Sequence, residues 1–310
     1  MWRFASGPVV CFLALIALGC VVATDAAEIF SVATYNVENY VDAAGSRPAK
    51  SAQAKAKVRE GIRGLRADVL ALQEMGDTNS LLELRAALKS EGLDYPFWEH
   101  VRGFDTNIHV AVLSRFPFVE RRAHTNESFL LSGRRFRVSR GFAEVTLRVT
   151  PSYHFTLITT HLKSRRAIPA ADEAELREQE ALRLREIIDA RLAVNPNLNL
   201  VVLGDFNDVR DSRSTKVIMG QGRNMLIDTR PAERNGDDLK SAPGLFPPRT
   251  ITWTHYFGKE DNYSRIDYLL VSPGMARERD PGGTYVLAIP NWGVASDHRP
   301  IVARFFAEDR

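Results

Sequence analysis

The sequence predicts a layered α/β domain. Short β-branched runs recur along most of the chain, and stretches with apolar residues at helical spacing lie between several of them. Some runs are apolar almost throughout instead of alternating, which is expected of strands buried on both faces. Hydrophobic residues at 45% and charged residues at 25% fit a packed core and exclude global disorder.

The runs can be taken in order. Ile29–Val37 is followed by Val58, Ile62 and Leu65, spaced as one face of a helix. Asp68–Gln73 is followed by Leu81, Leu84 and Leu88 with the same spacing. Three further runs are His109–Ser114, Phe142–Val149 and His154–Thr160. Leu184, Ile187, Ile188 and Leu192 then mark a helix within a charge-rich stretch that begins near Asp172. Leu198–Leu203 is apolar almost throughout and predicts a strand between a second sheet and helices. Asp211 to Thr250 is rich in Gly, Pro, Asp and Arg, with Pro243, Pro247 and Pro248 near its end. It reads as long loops, which either line a cleft or decorate the surface. Ile266–Val271 and Pro300–Phe306 complete the set, with no internal repeat or low-complexity tract.

The first residues differ in kind. Arg3 precedes a 14-residue uncharged apolar run, Val9 to Val22, and small residues follow at Thr24, Ala26 and Ala27. This is the layout of a secretory signal peptide over residues 1–26, leaving 27–310 as one exported domain, secreted or periplasmic. The run is shorter than the roughly 20 residues a spanning helix needs. Lipoprotein processing at Cys20 is the minority reading, since the residues before it match imperfectly. Both cysteines, Cys11 and Cys20, lie in this segment. Disulfides, thiol catalysis and cysteine-bound zinc are therefore excluded for the mature chain.

Polar clusters follow the apolar runs directly. They are Thr34-Tyr35-Asn36-Val37-Glu38-Asn39, Leu72-Gln73-Glu74, Thr159-Thr160-His161-Leu162-Lys163-Ser164, Gly204-Asp205-Phe206-Asn207-Asp208, Arg265-Ile266-Asp267-Tyr268 and Ser296-Asp297-His298-Arg299-Pro300. Singly, each reads as turn or cap chemistry. In this order, from about Ile29 to Phe306, they resemble the endonuclease/exonuclease/phosphatase superfamily. That group includes pancreatic-type deoxyribonucleases, apurinic endonucleases, inositol-polyphosphate phosphatases and bacterial sphingomyelinases.

The resemblance implies a four-layered, DNase I-like α/β sandwich, with two mixed β-sheets face to face and helices outside. It implies a metal-dependent phosphodiesterase. Phosphodiesters resist hydrolysis because a negative phosphorus centre repels nucleophiles, and a hard divalent ion relieves both that charge and the leaving oxygen's. Mg²⁺ suits a few oxygen ligands plus water, and Mn²⁺ wants nearly the same set. Glu74 is implied as the main metal ligand, Asn36 as its neighbour and Asp297 as a further ligand. His298 is implied as general base with Asp267 fixing its tautomer. Asp205 would hold or deprotonate the attacking water, so the base is either His298 or Asp205. Asn207 and His161 would donate to phosphate oxygens, and a residue near Asn107 would complete that side.

The remaining histidines, His100, His109, His124, His154 and His255, read as surface or structural residues. His255 stays open because Thr252-Trp253-Thr254-His255-Tyr256 lies just before Arg265. Trp253 and Tyr256 read first as core packing and second as a platform for a base or sugar.

The formal charge of +3 permits an anionic substrate without requiring a polyanion. The central third is basic, and Lys163 and Arg165 directly follow His161, where they would hold a backbone phosphate. Three functions are compatible: an exported nuclease, which is favoured; a phosphodiesterase or phosphatase acting on phospholipid headgroups or inositol phosphates; and a non-catalytic binding protein. No exposed aromatic hairpin for membrane insertion is obvious. A monomer with no stable protein partner is expected.

Overall fold

Alternation along the first strand already separates two cores. Phe30 and Val32 point into one, while Ala33 and Tyr35 point into another. In the computed structural model, which describes residues 1, 28–42, 48–234 and 252–310, this pattern repeats through two large sheets. The expected signal peptide, its cleavage near Ala26 or Ala27 and Cys20 lie outside the described residues, as does the 235–250 part of the 211–250 region.

The chain starts with β1 (Ile29–Tyr40), α1 (Ala52–Leu65), β2 (Val69–Met75), α2 (Thr78–Ser90), β3 (Phe97–Val101) and β4 (His109–Ser114). It continues through β5 (Phe118–His124), a small hairpin of β6 (Ser128–Leu131) and β7 (Arg134–Arg137), then β8 (Phe142–Arg148), β9 (His154–His161) and α3 (Glu173–Val194). After β10 (Leu200–Asp205) come α4 (Arg213–Met219), β11 (Ile227–Asp228) and β12 (Ala232–Arg234). A second hairpin, β13 (His255–Phe257) and β14 (Asn262–Ser264), precedes β15 (Asp267–Val271), α5 (Pro273–Arg277), β16 (Arg279–Leu287) and β17 (Ile301–Phe306).

One sheet has the order β12-β16-β17-β1-β2-β4-β3, the other β11-β15-β10-β9-β8-β5. Both are mixed: β1–β2 and β9–β10 run parallel, while β1–β17 and β10–β15 are antiparallel. Phe30, Val112, Leu157, Leu203, Leu269 and Phe305 fill the space between the sheets. Val58, Ile62, Leu81 and Leu84 of α1 and α2 cover the outer face of the first sheet with Leu70 and Leu72. Leu176, Leu184 and Ile188 of α3 cover the second with Ile158, Val202 and Leu270. The result is the four-layered sandwich. Strand β10 reads apolar throughout because Val201 and Leu203 face the sheet interface while Val202 faces α3. Each such buried side chain is worth about 1.5–3 kcal/mol.

Helix ends follow local chemistry. Ser51 Oγ accepts from Ala54 N–H to start α1, and Asp172 accepts from the N–H groups of Ala174 and Glu175 to start α3. The 211–250 stretch is not all loop: Ser212 caps α4, whose Ile218 and Val217 pack under α3. The strand β5 carries Glu120, Arg121 and Arg122 at the sheet edge, where charge is tolerated. Among the described residues no helix is long and apolar enough to cross a membrane.

Candidate active site

Register brings the site together. On adjacent strands of the second sheet, His161 of β9 pairs with Asp205 of β10, and Asp205 pairs with Asp267 of β15. On the first sheet, Asn36 of β1 pairs with Gln73 of β2, one residue before Glu74. Beneath these ends Gln73 joins the two sheets, accepting from Thr34 Oγ1 at 3.0 Å and donating to Thr159 Oγ1 at 3.1 Å.

Gly204 permits this arrangement. Its φ is +134°, and a Cβ there would lie 2.0 Å from the carbonyl oxygen of Thr160. Only glycine lets β10 approach β9 so closely and turn Asp205 toward His161. Glu38, Asn39, Glu74 and Asn207 also have positive φ. Such non-glycine backbone strain is concentrated here by the polar contacts that hold it.

Asp205 is the hub. It is buried, and Asn36 donates its side-chain amide to Oδ2 at 3.0 Å while the Asn207 N–H donates to Oδ1 at 2.8 Å. His161 Nε2 lies 3.4 Å and His298 Nε2 3.8 Å from Oδ2. On its other side, His298 Nδ1 is 2.8 Å from Asp267 Oδ2. Burial opposes charge on His298, but Asp267 and then Asp205 outweigh it and raise its pKa well above the ordinary value. Burial pushes the Asp205 carboxyl up to about 7, with His298 pulling down and Asp267 pushing up.

The opposite wall is acidic. Glu74 accepts from Asn39 N–H at 2.9 Å, and its other oxygen lies 3.9 Å from His161 Nε2. Asp297 is half exposed, with Oδ1 3.7 Å from His298 Nε2 and Oδ2 3.6 Å from His255 Nε2. Burial raises the Glu38 carboxyl, and repulsion from Asp297 and Glu74 adds to this. Lys50 faces the same acids and gives its ammonium to the Glu38 carbonyl at 2.7 Å. Three mutually repelling carboxylates beside the Asn36 amide are a donor set of hard oxygens suited to a divalent cation. Among the described residues, imidazole and carboxylate atoms within 4.8 Å of one another form two groups, His255–Asp297–His298 and Asp205–Asp267–His298.

The expected residues thus gather, with some in different postures. The Asn36 side-chain oxygen, Oδ1, already accepts from Glu38 N–H at 3.0 Å. Asn207 gives one amide hydrogen to the Leu162 carbonyl at 2.9 Å. Lys163 turns its ammonium onto the carbonyls of Ser164 and Arg166, both at 2.8 Å. Arg165 spans to the Asn207 carbonyl and to Asp208, bracing the loop after Asp205. Asp105 accepts from the Asn107 N–H, and Arg140 links Asp105 to the Leu162 carbonyl. Trp253 packs on Trp292 and Tyr263 under the Arg299 guanidinium, whereas Tyr256 stacks on Tyr263.

His100 lies 2.8 Å from the Gly76 carbonyl and packs against His109, and His124 joins Glu144, so these three are structural. His255 is the exception: its ring lies 4.6 Å from that of His298, and their backbones form a β-bridge. Sequence reasoning left Glu38, Lys50, Gln73 and Ser296 without roles. Ser296 Oγ donates to the Asn36 backbone carbonyl and accepts from His298 N–H, tying the loop before β17 to β1 of the same sheet.

Residues 33–298 match the model of the Endonuclease/Exonuclease/phosphatase family. The chain belongs to this family. Its members are hydrolases of phosphoester bonds that generally use divalent metals. The chain is similar in fold to an endonuclease/exonuclease/phosphatase from Bacteroides vulgatus, at 17% identity and TM-score 0.61, over 91% of this chain and 100% of that one. Truncated Caenorhabditis elegans TDP2 matches at 17% identity and TM-score 0.58, over 90% and 98%. Sphingomyelinase C from Streptomyces griseocarneus matches at 20% identity and TM-score 0.56, over 90% and 99%. No curated protein matches the chain by sequence. For this family member, the polar clusters read from the sequence lie at strand ends and in the loop before β17, and they meet around Asp205.

Proposed function

We propose that this chain is an exported, Mg²⁺-dependent nuclease that hydrolyses phosphodiester bonds of DNA or RNA, with Mn²⁺ able to substitute. The observation that carries the reading is the convergence of Asn36, Asn207, His161 and His298 on one buried carboxylate, Asp205, with Asp267 behind His298. The protein acts as a monomer without a stable protein partner, and residues 1–26 are its signal peptide.

Glu74, Asp297 and Asn36, with Glu38 beside them, would hold the ion. When bound, it neutralises phosphoryl charge and the leaving oxygen. The protein's own part is to position and move a proton. Asp205 and His298 share one buried titration because each shifts the other. The proton taken from the attacking water therefore belongs to the pair, and Asp267 supports the imidazolium through Nδ1. His161 and the remaining amide hydrogen of Asn207 donate to non-bridging oxygens as charge grows there.

A second reading, hydrolysis of phospholipid headgroups, has one observation in its favour. The hairpin β13–β14 beside His298 displays Phe257 and Tyr263, 39% and 54% exposed. This revises the expectation of no exposed aromatic hairpin: the two strands are too short to read as alternation.

The test is mature protein with Mg²⁺ on plasmid, single-stranded DNA, RNA, sphingomyelin vesicles and inositol phosphates. Plasmid nicking that is lost in EDTA and in Asp205→Ala supports the nuclease. Lipid or inositol turnover without nicking overturns it. Expression of the full chain, with mass measurement of the product outside the cytoplasm, tests export.

A further inference from the structure

Beside the site, the β6–β7 hairpin, the loop at Phe104 and the start of α3 enclose a cleft of about 600 Å³. Hydrolysis of a phosphodiester makes no use of it. Phe104, Phe136, Ile168 and Leu176 give it apolar walls, and Arg135, Arg137 and Lys163 stand around them. Phe104 is 65% exposed, a high value for a phenyl ring. The Arg137 guanidinium lies 5.8 Å from its centroid, and Arg134 lies 5.8 Å from that of Phe136. Phe136 is backed by Phe129, with ring centroids 6.1 Å apart at 19°.

The charge is one-sided. Arg135 and Arg137 have no carboxylate partner among the described residues. Among the described residues the one acid in the wall, Glu180, is buried and committed: Oε1 accepts from Ser139 N–H and Oγ–H, and Oε2 from Lys163 N–H. The cleft also connects to the chemistry. Lys163 lies two residues after His161, and Asp105, next to Phe104, is tied through Arg140 to the Leu162 carbonyl.

We propose that this cleft binds an unstacked base and adjoining phosphate of a single-stranded nucleic acid, flanking the scissile bond. The proposal rests on the nuclease reading. Aromatic faces bearing arginines suit a base plane, and unpaired cations beside them suit the neighbouring phosphate. An acyl chain would fit the apolar walls but leave the arginines uncompensated. A duplex keeps its bases stacked and offers no face to Phe104, so single strands are preferred over duplex.

The test compares a labelled single-stranded oligothymidylate with bis(p-nitrophenyl) phosphate, a diester that has no flanking nucleotide. In Phe104→Ala and in Arg137→Ala, the ratio of oligonucleotide to bis(p-nitrophenyl) phosphate kcat/KM falls about tenfold, mainly through KM. Phe104→Trp restores the ratio. Added salt weakens oligonucleotide binding less steeply in Arg137→Ala. If the unaltered protein cleaves the oligonucleotide and neither alanine variant changes the ratio, the cleft is not a nucleotide subsite. If Phe104→Ala lowers turnover of sphingomyelin vesicles instead, the occupant is an acyl chain and the proposal is overturned. If the unaltered protein hydrolyses only the nitrophenyl diester, the nuclease reading itself has failed.

Discussion

His298 Nδ1 and Asp267 Oδ2 lie 2.8 Å apart, although one residue belongs to the loop before β17 and the other opens β15 in the opposite sheet. Thr254 holds Asp267 in place from a third segment, its hydroxyl accepting from the N–H groups of Ile266 and Asp267. The contact fixes which imidazole nitrogen faces Asp205 and raises the pKa of His298.

Replacing Asp267 by Asn should therefore lower kcat by about 10²- to 10⁴-fold with little change in KM. The pH profile gives a second signature. Burial lowers the His298 pKa and Asp267 raises it, so removal of that charge moves the pKa down. Where activity needs neutral His298, its acid limb should shift to lower pH. An unchanged profile of kcat/KM against pH would refute this role for Asp267.

Metal dependence should localise to the acidic wall. EDTA should abolish hydrolysis and excess Mg²⁺ restore it. Glu74→Ala should raise the Mg²⁺ concentration for half-maximal rate by about 10- to 100-fold or more. Titration of activity and of protein fluorescence with Mg²⁺ gives two independent readings.

Gly204→Ala should unfold or distort the site. The added methyl meets the Thr160 carbonyl, and the φ of +134° strains any other residue. A loss of about 3 kcal/mol is expected. Urea denaturation measures it, and activity should fall even below the unfolding transition because Asp205 and His161 lose their register.

Acid stability should depend on Glu144, distant from the chemistry. Burial would raise its carboxyl, but hydrogen bonds from His124 and Arg191 prevail and bring it down to about 2. A depressed folded pKa stabilises above the unfolded value near 4.5, and that contribution is lost as pH falls toward 2. Glu144→Gln should cost about 3 kcal/mol at pH 7 and progressively less between pH 4.5 and 2. Equal destabilisation at pH 7 and pH 2.5 would show that the charge is not what matters.

The long apolar strands, the apolar spacing of α1, α2 and α3 and the polar strand ends were legible because burial and periodicity are local properties of the chain. Val58, Ile62 and Leu65 lie on one helix face whatever that helix packs against. The short β13 and β14 were not legible, since three residues carry no period, and Pro281, Gly282 and Gly283 hid β16. Lys163 and Arg165 looked like phosphate clamps from their place after His161. Their donors go to backbone carbonyls and Asp208, partners that no local pattern encodes.

By itself the sequence determined the layered class and the polar clusters that the fold gathers around Asp205. Only the tertiary structure decided that Asp205 is the hub, that Gln73 joins the two sheets, that Ser296 ties the His298 loop to Asn36, and that His255 lies against His298. The physical reason is register. A strand's composition fixes which residues face the core, but which residue on the neighbouring strand stands opposite depends on contacts as distant in sequence as Asn36 and Asp205.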